Sequence, residues 1–243
     1  MKNLGISDTN RYIKFGRFFV QTAALSIVVV GGNAIIHDFG LPAPLFIAFV
    51  ALAGMFFCGW ACPFGTAQEW LRHVGKNSTG ITLRVPRRLD KYLSLTRYLV
   101  VILAVFGVAA LAMHDPRKAF SWFFSGRPSS TWAYTALGVM LLASFFMDRP
   151  FCRYLCLKGG MHGLMSILRV FTIKRDGNIC KECKRCDNSC PMGVVVSGCA
   201  AVRDPHCINC FSCVISCPVG GALAFGFAIP SAKDAKAILK RRR

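Results

Sequence analysis

Four stretches of this chain carry no Lys, Arg, Asp or Glu and are apolar on every helical face. Phe18–Ile36 is the first; the second runs from Phe39 to Gln68, with Pro42 and Pro44 marking its start as a loop. Tyr98–Met113 is shorter, and lengthens if Arg97 extends its charged head outward along an apolar stem. Pro128–Met147 is the fourth. A helix needs about 20 apolar residues to cross the hydrocarbon layer, so the pattern predicts four transmembrane helices, near 17–36, 44–63, 95–113 and 130–148. Beyond Met147 the long runs stop. Short apolar segments alternate with Cys, Gly, Pro and charged residues, which predicts a small loop-rich α+β unit. The expected organisation is a helical domain over 1–172, a Cys-rich domain over 173–226 and a basic tail over 227–243.

Composition sharpens this picture. The hydrophobic fraction is 54%, above the roughly 45–50% of ordinary soluble domains, and the excess sits before residue 150. The formal net charge is +19. The basic residues flank the apolar runs, which points to membrane topology and not to a nucleic-acid partner. Lys2, Arg11, Lys14 and Arg17 precede the first run. Arg72, Lys76, Arg84, Arg87, Arg88, Lys91 and Arg97 separate the second from the third. Arg149, Arg153, Lys158, Arg169, Lys174 and Arg175 follow the fourth. The two opposite loops hold only Arg117, Lys118 and Arg127. Seventeen against three places both termini and the Cys-rich domain in the cytoplasm of a bacterial-type inner membrane. The first run has no small-residue cleavage signal and reads as a retained anchor. The terminal Lys240-Arg241-Arg242-Arg243 suits either anionic headgroups or plain solvation.

The chemistry lies in thirteen cysteines. Cys180, Cys183, Cys186 and Cys190 precede Pro191; Cys207, Cys210, Cys213 and Cys217 precede Pro218. Both runs read C-x2-C-x2-C-x3-C-P, a ligand spacing for paired [4Fe–4S] clusters in which the fourth Cys of each run serves the other cluster. One set is then Cys180, Cys183, Cys186 and Cys217; the other is Cys190, Cys207, Cys210 and Cys213. Disulfides suit secreted chains and zinc sites show paired C-x2-C units, so iron is the better reading.

A second set lies at the ends of the even-numbered runs. Cys58 and Cys62 stand in FFCGWACPFG, Cys152 and Cys156 in PFCRYLCLKG. Phe57, Cys58, Cys62 and Gly65 match Phe151, Cys152, Cys156 and Gly159 at a constant offset, so the helices read as two parallel helix-pair repeats. Three readings stay open for these four thiols: a third [4Fe–4S] cluster, another metal or a dithiol relay, and buried packing.

Cys58-Gly-Trp-Ala-Cys62-Pro63, Cys152-Arg-Tyr-Leu-Cys156 and the two C-terminal runs resemble the NapH/MauN-type membrane ferredoxins, which are related to the membrane parts of NosR and RdxA/FixG. Leu157 replaces the proline of the second C-x3-C-P motif. The resemblance implies a multi-pass iron–sulfur subunit that draws electrons from quinol and hands them to a partner redox protein within a larger complex. It equally allows an assembly or maturation reductase acting on a metal or thiol in a partner. Lipid, quinone and redox subunits are the expected partners.

Other side chains carry weaker signals. His37-Asp38 and His114-Asp115 could accept protons from a quinol, or be solvated loop residues. His73 and His162 could ligate haem, and His206 could tune a neighbouring cluster. Trp60, Trp70, Trp122, Phe123, Phe124 and Trp132 read as an interfacial aromatic belt. Cys199 reads as structural. No nucleotide-binding fingerprint and no hydrolytic constellation is present.

Overall fold

The computed structural model describes residues 6–31, 43–83, 85–107 and 115–229. It is mostly helical, with one two-stranded antiparallel sheet among the described residues. In chain order the helices are α1 (Ile6–Gly31), α2 (Ala43–Ala53), α3 (Phe56–Trp60), α4 (Pro63–Thr79), α5 (Arg87–Val105), α6 (Pro116–Phe124), α7 (Thr131–Phe146), α8 (Pro150–Tyr154) and α9 (Leu157–Met165). Strand β1 (Phe171–Arg175), the short helices α10 (Arg185–Asn188) and α11 (Ser212–Ile215), and strand β2 (Leu223–Phe227) complete the chain.

One described helix segment, Asn10–Val30, is long and apolar enough to cross a membrane. Pro44–Ala53 and Phe56–Thr79 pass the same test together but meet at a 78° bend, and α7 is a shorter apolar helix. The bend has a local cause. Gly54 adopts a left-handed φ of 81° and returns its N–H to the Val50 carbonyl, which ends α2. The expected spans near 17–36 and 95–113 run partly over residues outside the described ones.

Two pieces of backbone repeat at the sequence offset of the C-x3-C motifs. The five-residue helices α3 and α8 start at Phe56 and Pro150, and the helices after them start at Pro63 and Leu157. In each copy the second cysteine opens the following helix: the Cys62 carbonyl accepts the Thr66 N–H, and the Cys156 carbonyl accepts the Gly160 N–H, both at 2.9 Å.

The chain divides into two compact bodies. The first comprises Met1–Val20, Ile47–Trp60 and His162–Arg243. In it, β1 pairs with β2 from Phe171 opposite Phe227 to Arg175 opposite Leu223. Fully buried Arg169 donates to the carbonyls of Val202 and Cys207, and Arg203 donates to those of Arg169 and Ala228. These charged bonds to backbone hold the cysteine loops on the sheet. Asn209 is also fully buried; its amide donates to the Ala53 carbonyl at 2.8 Å, capping α2. Trp60 donates to the Asn209 carbonyl at 2.9 Å and packs edge-on against Phe211. That contact corrects the belt reading for Trp60: its indole N–H is used inside the protein. Gly59 lies against the same loop, and the Arg17 guanidinium donates to its carbonyl at 3.1 Å.

The second body comprises Gln21–Phe46 and Ala61–Met161. Its core gathers Val28, Phe64, Ala119, Phe120, Leu137 and Phe151. Phe64 meets Phe120 and Phe151 with ring centroids 5.5 and 5.2 Å away, tilted or edge-on as the ring quadrupoles favour. Gly75 lets α4 cross the Phe145 backbone on α7 closely, and Arg72 seals that crossing by donating to the Phe145 carbonyl at 2.8 Å. Asp115 caps α6 by accepting the Arg117 N–H. Arg97 does not extend outward; its side chain is fully buried. Gly159 and Gly160 leave the room it occupies.

The fold predicts opposite responses at two glycines. A Cβ at Gly59 would overlap the Ile208 carbonyl oxygen, whereas one at Gly16 meets nothing within 4 Å. Gly59→Ala is expected to lose about 1–3 kcal/mol through overpacking. Gly16→Ala is expected to gain about 0.5–1 kcal/mol from helix propensity. Thermal unfolding of the two variants in one detergent checks both signs.

Candidate functional site

The two C-terminal cysteine loops share one backbone design. Glu182 and Lys184 have φ of 50° and 57°; Asn209 and Phe211, at the matching places, have 48° and 58°. Left-handed backbone at non-glycine positions is uncommon. Occurring on either side of the middle cysteine in both loops, it winds each short segment around a common centre. The third cysteine of each run then enters a one-turn helix, Cys186 in α10 and Cys213 in α11. Ser189 and Ser216, one from each loop, share a hydrogen bond of 2.6 Å. Asp187 fixes the connecting segment by accepting the N–H groups of Val196 and Ser197 at 2.6 and 2.8 Å.

This geometry brings the eight sulfurs to two cavities. One is lined by Cys190, Cys207, Cys210 and Cys213, with Ile173, Met192, Val194, Val196, Val202, Ile208 and Phe211 around them. The other is lined by Cys180, Cys183, Cys186 and Cys217. Arg175, Lys181, Glu182 and Lys184 border it together with the apolar Pro218, Val219, Ala222 and Leu223. Each loop therefore lends its last cysteine to the cavity of the other. Four thiols lining one cavity match the ligand set of a four-iron cubane, in which each thiolate binds a different iron. Among the described residues no group of three or more His, Cys, Asp or Glu side chains is gathered around a single-ion site.

The surroundings set the state of the thiols. The Glu182 backbone N–H and the Arg175 guanidinium favour the Cys180 thiolate and lower its pKa from the usual 9.0. Burial pushes Cys186 up to about 11, with the Asp187 carboxylate adding to the rise. Burial likewise raises Cys190, Cys207 and Cys213 in the apolar cavity. The Val194 N–H reaches the Cys190 sulfur at 3.3 Å. Iron replaces the protons that burial would otherwise keep on these sulfurs. Cys199 is buried and its carbonyl accepts from Arg175, in a structural place.

Of the C-x3-C thiols, Cys62, Cys152 and Cys156 lie together against the core of the second body, while Cys58 lies on α3 in the first. His37, Asp38 and His114 fall outside the described residues. Asp115 is taken up by its cap and by an ion pair with Arg117 at 2.6 Å. His206 Nδ1–H donates to Asp204 Oδ1 at 3.1 Å, beside Cys207. The buried Arg97, Arg169 and Asn209 and the half-buried Asp187, which shape these sites, gave no periodic or motif signal in the sequence.

Paired loops with four thiols on each of two cavities define the iron–sulfur proteins of ferredoxin type. A family model described as "4Fe-4S dicluster domain" matches residues 172–218, and one described as "4Fe-4S binding domain" matches twice, over 39–82 and 130–175. YccM of Escherichia coli, whose name describes an electron transport protein, is 33% identical over 77% of this chain and 56% of its own length. NirI of Paracoccus denitrificans is 27% identical over 67% of the chain and 26% of its own length. The regulatory protein NosR of Stutzerimonas stutzeri is 26% identical over 65% and 22%. The chain thus spans about half of YccM and about a quarter of the other two. No solved structure matches it. The chain is similar to the NapH/NosR-like ferredoxin-type proteins.

The thiol environments predict an order of reactivity. In iron-free, reduced protein at pH 8, a lowered pKa means a larger thiolate fraction, and the thiolate is the nucleophile. Cys180 is expected to react with iodoacetamide at least about tenfold faster than Cys186, whose thiol titrates near 11. The gap should narrow as pH rises past 11. Peptide mass spectrometry over pH 7–11.5 reads both rates.

Proposed function

We propose that this chain is a membrane-anchored electron-transfer subunit, passing single electrons between the quinol/quinone pool and a partner redox protein through two [4Fe–4S] clusters. Cys180, Cys183, Cys186 and Cys217 hold one cluster; Cys190, Cys207, Cys210 and Cys213 hold the other. The observation that carries this reading is the convergence of two four-thiol sets on two adjoining loops. The clusters supply one-electron chemistry without protons or bond breaking, and the protein sets which state is favoured. Arg175, Lys181 and Lys184, offset in part by Glu182, leave net positive charge beside the first, which favours its reduced form. The apolar wall of Ile173, Val194, Val196, Val202 and Ile208 withholds that help from the second.

The same reading puts helices in an inner membrane, with the cysteine loops and both termini in the cytoplasm, and arranges the helix pairs as parallel repeats. The Asn10–Val30 helix and the matched starts of α3 and α8 and of α4 and α9 support it. The electron-transport name of YccM supports the chemistry. The quinol side rests on the family likeness.

Purified, anaerobic, full-length protein in detergent is expected to show the EPR spectrum of reduced clusters when ubiquinol or menaquinol is added. Cys213→Ser should remove the signal of one cluster. If quinol leaves the clusters oxidised while a reduced thiol or metal-bearing partner exchanges electrons with them, the protein is a maturation reductase.

A further inference from the structure

The core of the second body contains a cation without an anion. Arg97 is fully buried, and none of its three guanidinium nitrogens has a hydrogen-bond partner among the described residues. A bare guanidinium in an apolar core is strongly unfavourable, because neither water nor a counter-charge replaces its lost hydration. The neighbouring arginines are provided for. Arg117 pairs with Asp115 and Arg149 with Glu69, each at 2.6 Å. The Arg97 head lies where Gly159 has no side chain: a Cβ there would stand 2.8 Å from Arg97 Nη2 and 3.2 Å from Cys156 Sγ. Guanidinium and sulfur therefore flank the same small space.

Three cysteines share this core, Cys62, Cys152 and Cys156. Two of their sulfurs accept hydrogen bonds. The Gly159 N–H donates to Cys156 Sγ at 3.3 Å, and the buried Gln68 amide donates to Cys152 Sγ at 3.4 Å. Cys62 and Cys156 each stand at the start of a helix, α4 and α9, where backbone N–H groups and the helix dipole favour negative charge. A cluster with thiolate ligands is an anion, more so when reduced. It would supply the counter-charge that Arg97 lacks.

We propose that Cys62, Cys152 and Cys156 hold a third iron–sulfur cluster, with Arg97 as the positioning residue that balances its charge. The "4Fe-4S binding domain" likeness covers both halves of this site without assigning residues in it. The site extends the electron-transfer reading but is separate from the C-terminal loops, so either can fail alone.

Iron and acid-labile sulfide are counted in the full-length protein, purified anaerobically, together with an EPR redox titration. About twelve irons per chain are expected, at four per cubane. Cys156→Ser and Cys62→Ser should each lower the count by about four and leave the spectrum of the C-terminal clusters unchanged, which also shows that the variants fold. Arg97→Met should lower the midpoint potential of the third signal or lose that cluster, and Arg97→Lys should restore it. A wild-type count that Cys62→Ser and Cys156→Ser leave unchanged would overturn the site. A third signal indifferent to Arg97→Met would overturn the role of the arginine. Because the readout is the difference between wild type and variant, it holds whatever the C-terminal loops bind.

Discussion

Each cysteine loop is incomplete without the other. Three thiols of a run sit within a short left-handed winding, and the fourth belongs to the opposite cavity. This exchange forces the two loops to fold as one unit, because neither cavity has four sulfurs until both are in place. The Ser189–Ser216 bond and the β1–β2 pairing serve that end. Buried arginines do the same work from behind: Arg169 and Arg203 tie the loops to the sheet through backbone carbonyls, which needs a donor that is always charged.

The first body joins distant sequence. Asn209, in the second cysteine loop, caps α2, while Gly59 and Trp60, within the first C-x3-C stretch, press on the same loop. The Cys58-Gly-Trp segment therefore has a structural task apart from its thiol: the glycine permits close backbone approach and the indole supplies a donor. The C-x3-C motif and the ferredoxin-type loops are parts of one packing problem in this body.

Some of this was legible in the residues. The offset between the C-x3-C copies reappears in the starts of α3 and α8 and of α4 and α9, although Leu157 stands where the first copy has Pro63 and the shared glycine is Gly65 and Gly159. The C-x2-C-x2-C-x3-C-P spacing pairs each loop with the last cysteine of the other, and the same sets line the two cavities. The arginines were not legible. Arg97 would lengthen the third run only by reaching outward, and it is buried; Arg17, Arg72, Arg149 and Arg169 count as flanking charges in the sequence, yet all are buried and bonded. Side-chain charge says nothing about which way a long stem turns once the backbone offers carbonyls to bind. For the same reason the positive-inside count carries less weight than its size suggests. Long apolar runs also hid the break at Gly54, where a left-handed glycine overrides hydropathy.

The exchange of the fourth cysteine is tested most directly by footprinting. Anaerobically purified Cys217→Ser protein is treated with iodoacetamide and mapped by mass spectrometry. The account predicts that Cys180, Cys183 and Cys186 become reactive while Cys190, Cys207, Cys210 and Cys213 stay protected. Exposure of Cys207, Cys210 and Cys213 instead, with the first three still protected, would contradict it.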